Sequence, residues 1–276
     1  MKKLLTIAAI ALYSSSMAQT LNTPAPSTTQ TIKQNFALGS IELTYSRPNL
    51  KGRTAMGELV PFGKVWRTGA NNATTINFSD EVIIGGKNIA AGKYGLLTIP
   101  GKDSWVLIIT KQLDVTSPSA YKEESDVVRV NATPSTTKDK TETFAIQFAN
   151  VKGNSCDLLF TWENTTVALP ISADVETKVM KQIENIMTKD NLPYFNAAMY
   201  YMDNNKDLSQ ALTWFNKAVE NNPTAYWVQY QRANCLVKLG KKADAITAAT
   251  KSLELATTAK NPDYVKLNED LLKSLK

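Results

Sequence analysis

Tyr94-Gly95-Leu96-Leu97-Thr98-Ile99-Pro100-Gly101-Lys102-Asp103-Ser104-Trp105-Val106-Leu107-Ile108-Ile109-Thr110 consists of two apolar runs around a Pro-Gly-Lys-Asp turn. Runs of this length, rich in β-branched and aromatic residues and joined by turn formers, read as adjacent antiparallel strands. Toward the N-terminus, Val82-Ile83-Ile84 and Lys87-Asn88-Ile89 flank Gly85-Gly86. Those glycines can take the positive φ angles of a tight hairpin. Further back, Ile41, Leu43 and Tyr45 alternate with Glu42, Thr44 and Ser46 until Pro48, the period of two of a strand with one buried face. Toward the C-terminus the series continues through 127–130, 144–148, 158–162 and 167–171, broken by Gly153-Asn154 and Glu163-Asn164-Thr165-Thr166. Many short strands without a helical period predict an antiparallel β-sandwich or barrel over 35–172. Residues 111–126 and 132–141, polar and irregular, are expected to be long surface loops.

At Asp174 the period changes to about 3.6: Val175, Val179, Ile183, Ile186 and Met187 form one stripe, with Asp174 placed to cap it. Everything beyond reads as helix, so the chain is a two-domain, β-then-α protein with a helical domain over 173–276. Phe195, Ala198, Met199, Met202, Ala211, Phe215, Ala218 and Pro223 fall at the spacings of a tetratricopeptide unit of about 34 residues. A shift by one unit aligns Ala233, Leu236, Gly240, Ala245 and Ala249 more weakly, with Thr257 where a closing proline would stand. Two repeats are expected, with flanking helices at 174–188 and 262–275 as caps.

The first residues carry a different signal. Met1-Lys2-Lys3 precedes the short apolar run Leu4–Leu12, and Ser16-Met17-Ala18 is a small-x-small pattern. Together they predict a signal peptide over 1–18 cleaved before Gln19, hence a periplasmic or extracellular protein. The apolar run is too short to span a bilayer and no later stretch is long enough, so no transmembrane segment is expected in the mature chain. Residues 19–34, polar with two prolines, read as a flexible leader.

Composition closes several routes. The formal charge of +6 falls to +4 without Lys2 and Lys3; residues 20–173 carry 15 basic and 13 acidic groups, residues 174–276 carry 14 and 12. With no basic run or asymmetry, no nucleic-acid partner is expected. The absence of histidine removes His-based triads, histidine general bases and the usual zinc and iron ligand sets. No metal or cofactor is expected. Cys156 and Cys235 fall in different domains; they could pair in an oxidising compartment, but both also fit as small core residues.

The most distinctive strings are Ser46-Arg47-Pro48-Asn49-Leu50-Lys51-Gly52-Arg53-Thr54 and Leu59-Val60-Pro61-Phe62-Gly63-Lys64-Val65-Trp66-Arg67-Thr68-Gly69-Ala70-Asn71-Asn72. With Ala91–Trp105 and Trp162-Glu163-Asn164-Thr165, they resemble the bacterial family known as domain of unknown function 2911, over roughly residues 35–172. The resemblance implies no assigned activity, and some family members are similar in carrying a helical-repeat tail.

In these strings Arg47, Arg53, Lys64, Trp66, Arg67 and Asn71 form a candidate ligand site, since guanidinium forks beside an indole face could hold a carboxylate, phosphate or sugar. The alternative is that Trp66 plugs the base of the sandwich and the arginines bond loop carbonyls. An enzyme would have to rely on carboxylates such as Glu42, Glu58, Asp80, Glu81 and Glu163. Ser135-Thr136-Thr137-Lys138 has the Ser-x-x-Lys spacing without its companion motifs, and Asp203–Asp207 begins like a calcium loop but has Leu208 and Trp214 at required positions. No residue is assigned a catalytic role. In the helical tail, Tyr201, Trp227 and Tyr230 are candidates for a partner groove of the kind repeat stacks provide. The sequence therefore favours a non-catalytic exported module that binds a peptide, a protein or a small anionic or glycan ligand; the alternative is a histidine-free, carboxylate-dependent hydrolase acting on glycans.

Overall fold

The computed structural model describes residues 23–187 and 193–276; the expected signal peptide lies outside them. The chain divides into two compact units, Met1–Val175 and Glu176–Lys276.

The first unit is built from ten antiparallel strands: β1 (Thr28–Phe36), β2 (Gly39–Arg47), β3 (Thr75–Phe78), β4 (Val82–Ile84), β5 (Lys87–Ile89), β6 (Gly92–Ile99), β7 (Trp105–Thr110), β8 (Asp126–Ala132), β9 (Ser135–Ala149) and β10 (Ser155–Ser172). One sheet has the order β1-β2-β3-β6-β7-β8, the other β5-β4-β10-β9. Both are open, so the architecture is a sandwich rather than a closed barrel. The inner faces meet in one core, with Leu43, Ile76, Leu96 and Leu107 from the larger sheet and Phe144, Leu158, Phe160 and Trp162 from the smaller.

On one side the sheets are tied together through the outer edge of β9. Tyr45 Oη donates to the carbonyl of Ile146 and accepts from its N–H, at 3.2 and 2.9 Å. Arg47 Nε donates to the carbonyl of Phe144 at 3.0 Å. Leu50 N–H donates to Glu142 O, and Phe144 N–H to Pro48 O. A strand edge that would otherwise present unpaired backbone groups is thereby satisfied by β2 and the segment after it.

The β6–β7 hairpin is continuously apolar because both its faces are covered. Leu96, Leu107 and Ile109 enter the inter-sheet core, whereas Leu97 and Ile108 form an outer cluster with Val115. The chain over 111–125, irregular apart from two short 3-10 turns, supplies Val115 and Tyr121 to that cluster.

Two expectations are corrected. Residues 28–34 are not part of a flexible leader but form most of β1, paired with β2 from Thr28↔Arg47 to Phe36↔Gly39. The strand is polar because one face is solvated, and its turn places Ala37 rather than Gly or Asn at a φ of 53°, so neither hydropathy nor turn chemistry marks it. Residues 135–141 are likewise strand rather than loop. They form the first half of β9, paired with β10 through irregular register and largely exposed, which leaves them no apolar face to show. Ser135–Lys138 consequently lies on a strand, without the helix that would bring its serine and lysine together.

The second unit comprises α1 (Val175–Ile186, beginning at the unit boundary), α2 (Tyr194–Asp203), α3 (Leu208–Asn221), α4 (Tyr226–Lys238), α5 (Lys242–Thr258) and α6 (Pro262–Ser274). From α2 onward each helix packs on the next, and α4 also touches α2 and α6. Ala198, Ala211, Ala233, Ala245 and Ala249 are fully buried, which permits the close approach a helical repeat requires. Asp203–Asp207 is the α2–α3 turn, with Asn205 at a φ of 54°. Asp207 caps α3 by accepting from Ser209 N–H and Gln210 N–H at 2.8 and 3.2 Å. No described helix is long and apolar enough to cross a membrane. Both cysteines are free: Cys156 is buried in the sandwich core, Cys235 in the helical core.

Candidate functional site

The end of β2 and the segment between β2 and β3 carry the six candidate ligand residues, and the structure divides them. Arg47 holds Phe144 as described. Arg53 donates from Nε to Leu50 O at 2.9 Å and from Nη2 to Asn49 O at 3.2 Å, so its guanidinium closes its own turn. Asn71 donates from Nδ2 to Ser27 O at 3.0 Å. These three groups face different carbonyls and do not converge.

Lys64, Trp66 and Arg67 do converge. They line a cleft of about 230 Å³ whose apolar walls include Leu59, Pro61 and Pro118. The indole of Trp66 lies 5.8 Å from the nearly parallel ring of Trp162 and 4.9 Å from Phe144. Its Nε1 donates to Gly69 O at 2.9 Å, leaving only ring carbon to offer a ligand. Backbone bonds between Trp66 and Thr98 in both directions, at 2.7 and 3.0 Å, fix the segment onto the edge of β6. Arg67 Nη1 donates to Thr116 O, while its Nε is buried without a hydrogen-bond partner.

The carboxylates do not gather. Glu163, on β10, accepts from Ala55 N–H at 2.9 Å and pairs with Lys140 at 3.5 Å. Glu81, in the β3–β4 turn, is 3.4 Å from Asn88 Nδ2. Glu42 sits on β2 opposite Lys33. No group of three or more metal-ligating side chains occurs among the described residues.

Two features have no sequence signature. Asp126 is almost wholly inaccessible, with its side chain 7% exposed. It accepts a short hydrogen bond from Tyr121, has Arg129 Nε at 3.8 Å, and keeps one buried oxygen without a partner. Burial pushes its carboxyl above the ordinary aspartate value, the opposing pull of Tyr121 and Arg129 notwithstanding. The second is a cavity of about 390 Å³ beside the β4–β5 turn, lined by Gly85, Val130, Lys152, Cys156 and Asp157. Burial raises the Cys156 thiol to about 11, so it is protonated and unreactive at neutral pH.

In the helical unit the three groove candidates occupy two clusters. Tyr201 meets Trp214 edge-on at 4.6 Å. Trp227 and Tyr230 belong to a run of four rings, Trp227–Tyr226–Tyr264–Tyr230, with successive centroids 5.0, 5.0 and 5.6 Å apart. Trp227 is 38% exposed and lines a cavity of about 250 Å³ with Tyr194, Phe195, Asn196 and Asn221. Beside it, Val179 and Ile183 of α1 and Met187 just after it line, with Pro193 and Tyr200, a second cavity of about 280 Å³.

Residues 27–171 match the family described as protein of unknown function DUF2911. The chain belongs to that family. The match begins at β1 and so includes the strand whose sequence is polar. Residues 193–224, which hold α2 and α3, match the tetratricopeptide repeat. This DUF2911 protein is also similar to a tetratricopeptide repeat domain protein from Salinibacter ruber. Its crystal structure is 20% identical with a TM-score of 0.28, over 30% of this chain and 91% of the other. Its solution NMR structure gives the same identity and score over 82% of that chain. Among curated proteins nothing matches. A domain of unknown function joined to a tetratricopeptide repeat suggests a protein-interaction module with protein partners.

Proposed function

We propose that this DUF2911 protein is a non-catalytic, exported interaction module whose helical unit holds a peptide segment of a protein partner. The observation that carries the reading is Trp227, a large apolar side chain 38% exposed at a cavity walled by Tyr194 and Phe195 and edged by the amides of Asn196 and Asn221. An exposed indole beside a small aromatic pocket is the type of anchor around which binding energy concentrates, and amides at its rim can pair with a peptide backbone. Export rests on the signal pattern in the first 18 residues and predicts a mature chain beginning at Gln19. Glycan hydrolysis draws no support from the carboxylates: Glu163 is engaged by Ala55 N–H and Lys140, and Glu81 lies against Asn88 in a different turn.

The test is selection of a random displayed peptide library on the mature chain, with Trp227→Ala as the counter-selection. The reading expects enriched sequences with a shared apolar anchor and at least about tenfold weaker binding to the variant, a loss of about 1.4 kcal/mol. Enrichment of nothing, or of peptides indifferent to Trp227, overturns it.

A further inference from the structure

The two sheets end in four edge strands, and three of these are blunted. β5 is only three residues long. β9 is covered by β2 and the segment after it, as described. β8 has a register shift beside Thr110, and its Val127 carbonyl accepts from Lys87 Nζ at 2.7 Å. Shortness, cover and irregularity are the usual ways an edge is kept from recruiting another strand. β1 has none of them: it runs nine residues and pairs with β2 without a register shift. Its one charged side chain, Lys33, stands directly opposite Glu42, which offsets the repulsion an edge lysine exerts on an incoming strand.

The backbone of β1 alternates in direction. Phe36 and Gly39 bracket a two-residue turn, a spacing that makes them a hydrogen-bonded pair. Gln34, Ile32, Gln30 and Thr28 therefore also spend their N–H and C=O groups on β2, and the intervening residues turn theirs away from the sheet. That outer row is interrupted at both ends. The Ser27 carbonyl accepts from Asn71 Nδ2 at 3.0 Å, and the Asn35 carbonyl from Gln34 Nε2 at 2.9 Å. Between them, the outward N–H and C=O groups of Thr29, Thr31 and Lys33 have no partner among the described residues.

Those residues are spaced symmetrically about Thr31. On an identical antiparallel strand related by a two-fold axis at Thr31, Thr31 faces Thr31 and Thr29 faces Lys33 of the second copy. Every outward N–H then meets an outward C=O, and none is left over. The two Lys33 residues stand four positions apart along the pair, roughly 14 Å at about 3.4 Å per residue, beyond the screening length of about 8 Å at physiological salt. The Thr31 pair also extends a row of hydroxyls, since Thr31 Oγ1 lies 2.9 Å from Thr44 Oγ1 and Thr44 stands opposite Thr75. We propose that β1 pairs with the β1 of a second copy of this chain, antiparallel about a two-fold axis at Thr31, joining two six-stranded sheets edge to edge. The interface belongs to the sandwich and uses no residue of the helical unit. One strand pair is a small interface, so the dimer is weak, with a dissociation constant on the order of 100 µM.

The experiment is sedimentation equilibrium of the protein from about 10 µM to about 1 mM, with amide hydrogen exchange followed by NMR at both ends of the range. A monomer–dimer equilibrium is expected. The amides of Thr29, Thr31 and Lys33 should exchange several-fold more slowly at the high concentration, while those of Gln30, Ile32 and Gln34 are protected at both. Thr31→Pro removes the central outward N–H and leaves the ladder to β2 intact; it should weaken the dimer at least about tenfold. Thr31→Val keeps that N–H and should keep the dimer. The exchange pattern of the unaltered protein decides the matter even where the proline variant folds poorly. A chain still monomeric at about 1 mM, a dimer in which the three amides exchange as in the monomer, or a dimer that folded Thr31→Pro forms equally well overturns the proposal.

Discussion

At the end of β2 and in the segment leading to β3 four candidate binding side chains bond the chain itself, whereas in the helical unit a large aromatic is exposed. Arg47, Arg53, Asn71 and the Trp66 indole each spend a donor on a carbonyl of the chain itself. They knit the sandwich edge and the loop that crosses it. Trp227, by contrast, has its ring edge-on to Tyr226 and 38% of its surface exposed. Residue types usually associated with binding are scaffold in one unit and surface in the other, and what decides between the roles is whether the chain offers a partner.

The contrast has measurable consequences for stability. Trp162→Ala empties a site 2% exposed between Trp66 and Phe144. It should cost about 3–5 kcal/mol in denaturant unfolding of the β-unit; a cost near that of a surface change would show that the aromatic cluster is not a plug. Arg47→Ala leaves the Phe144 carbonyl without its donor and should cost about 1–3 kcal/mol, read as a lower unfolding midpoint. No change there would mean that the edge of β9 does not need its cover.

A smaller, pH-dependent effect belongs to Asp126. Its folded value lies above the ordinary aspartate value of about 3.8. The stability linked to that shift is therefore fully present below about pH 3.8 and is lost as pH rises through the folded value. Unfolding measured against pH should show the wild type gaining on Asp126→Asn as pH falls from 7 toward 4. Parallel curves would mean that the carboxyl is not buried in a way that matters. Least of all should be felt at Trp227→Ala, which is expected to change stability by within about 0.5 kcal/mol; a large loss would make the indole part of the core.

The sequence showed the sandwich wherever a strand had a buried face and a recognisable turn. The β4–β5 and β6–β7 hairpins announce themselves through Gly85-Gly86 and Pro100–Asp103 and through apolar runs on either side. The helical repeat was legible from its alanines and aromatics, because neighbours in the chain are neighbours in space. β1 was hidden by its solvated face and by Ala37 in its turn, and β3 by having only Ile76 and Phe78 to bury. Of the candidate ligand site, the residue types could be read but not their partners. Nothing in Ser46–Asn71 distinguishes an arginine that closes its own turn from one whose acceptor, Thr116, lies 49 positions away. The cleft wall at Pro118 and the buried Asp126 depend on how 111–125 folds over the outer face of β6 and β7, a segment with no hydropathy period of its own.

The most direct test of the inward-outward contrast is fluorine NMR of the protein with all five tryptophans fluorinated, recorded with a soluble paramagnetic agent and then with a selected peptide. Trp227 should broaden with the agent and move with the peptide, while Trp105 and Trp162, each 2% exposed, should do neither. A peptide that moves Trp66 and leaves Trp227 still would contradict the account, placing the partner on the sandwich instead of the helices.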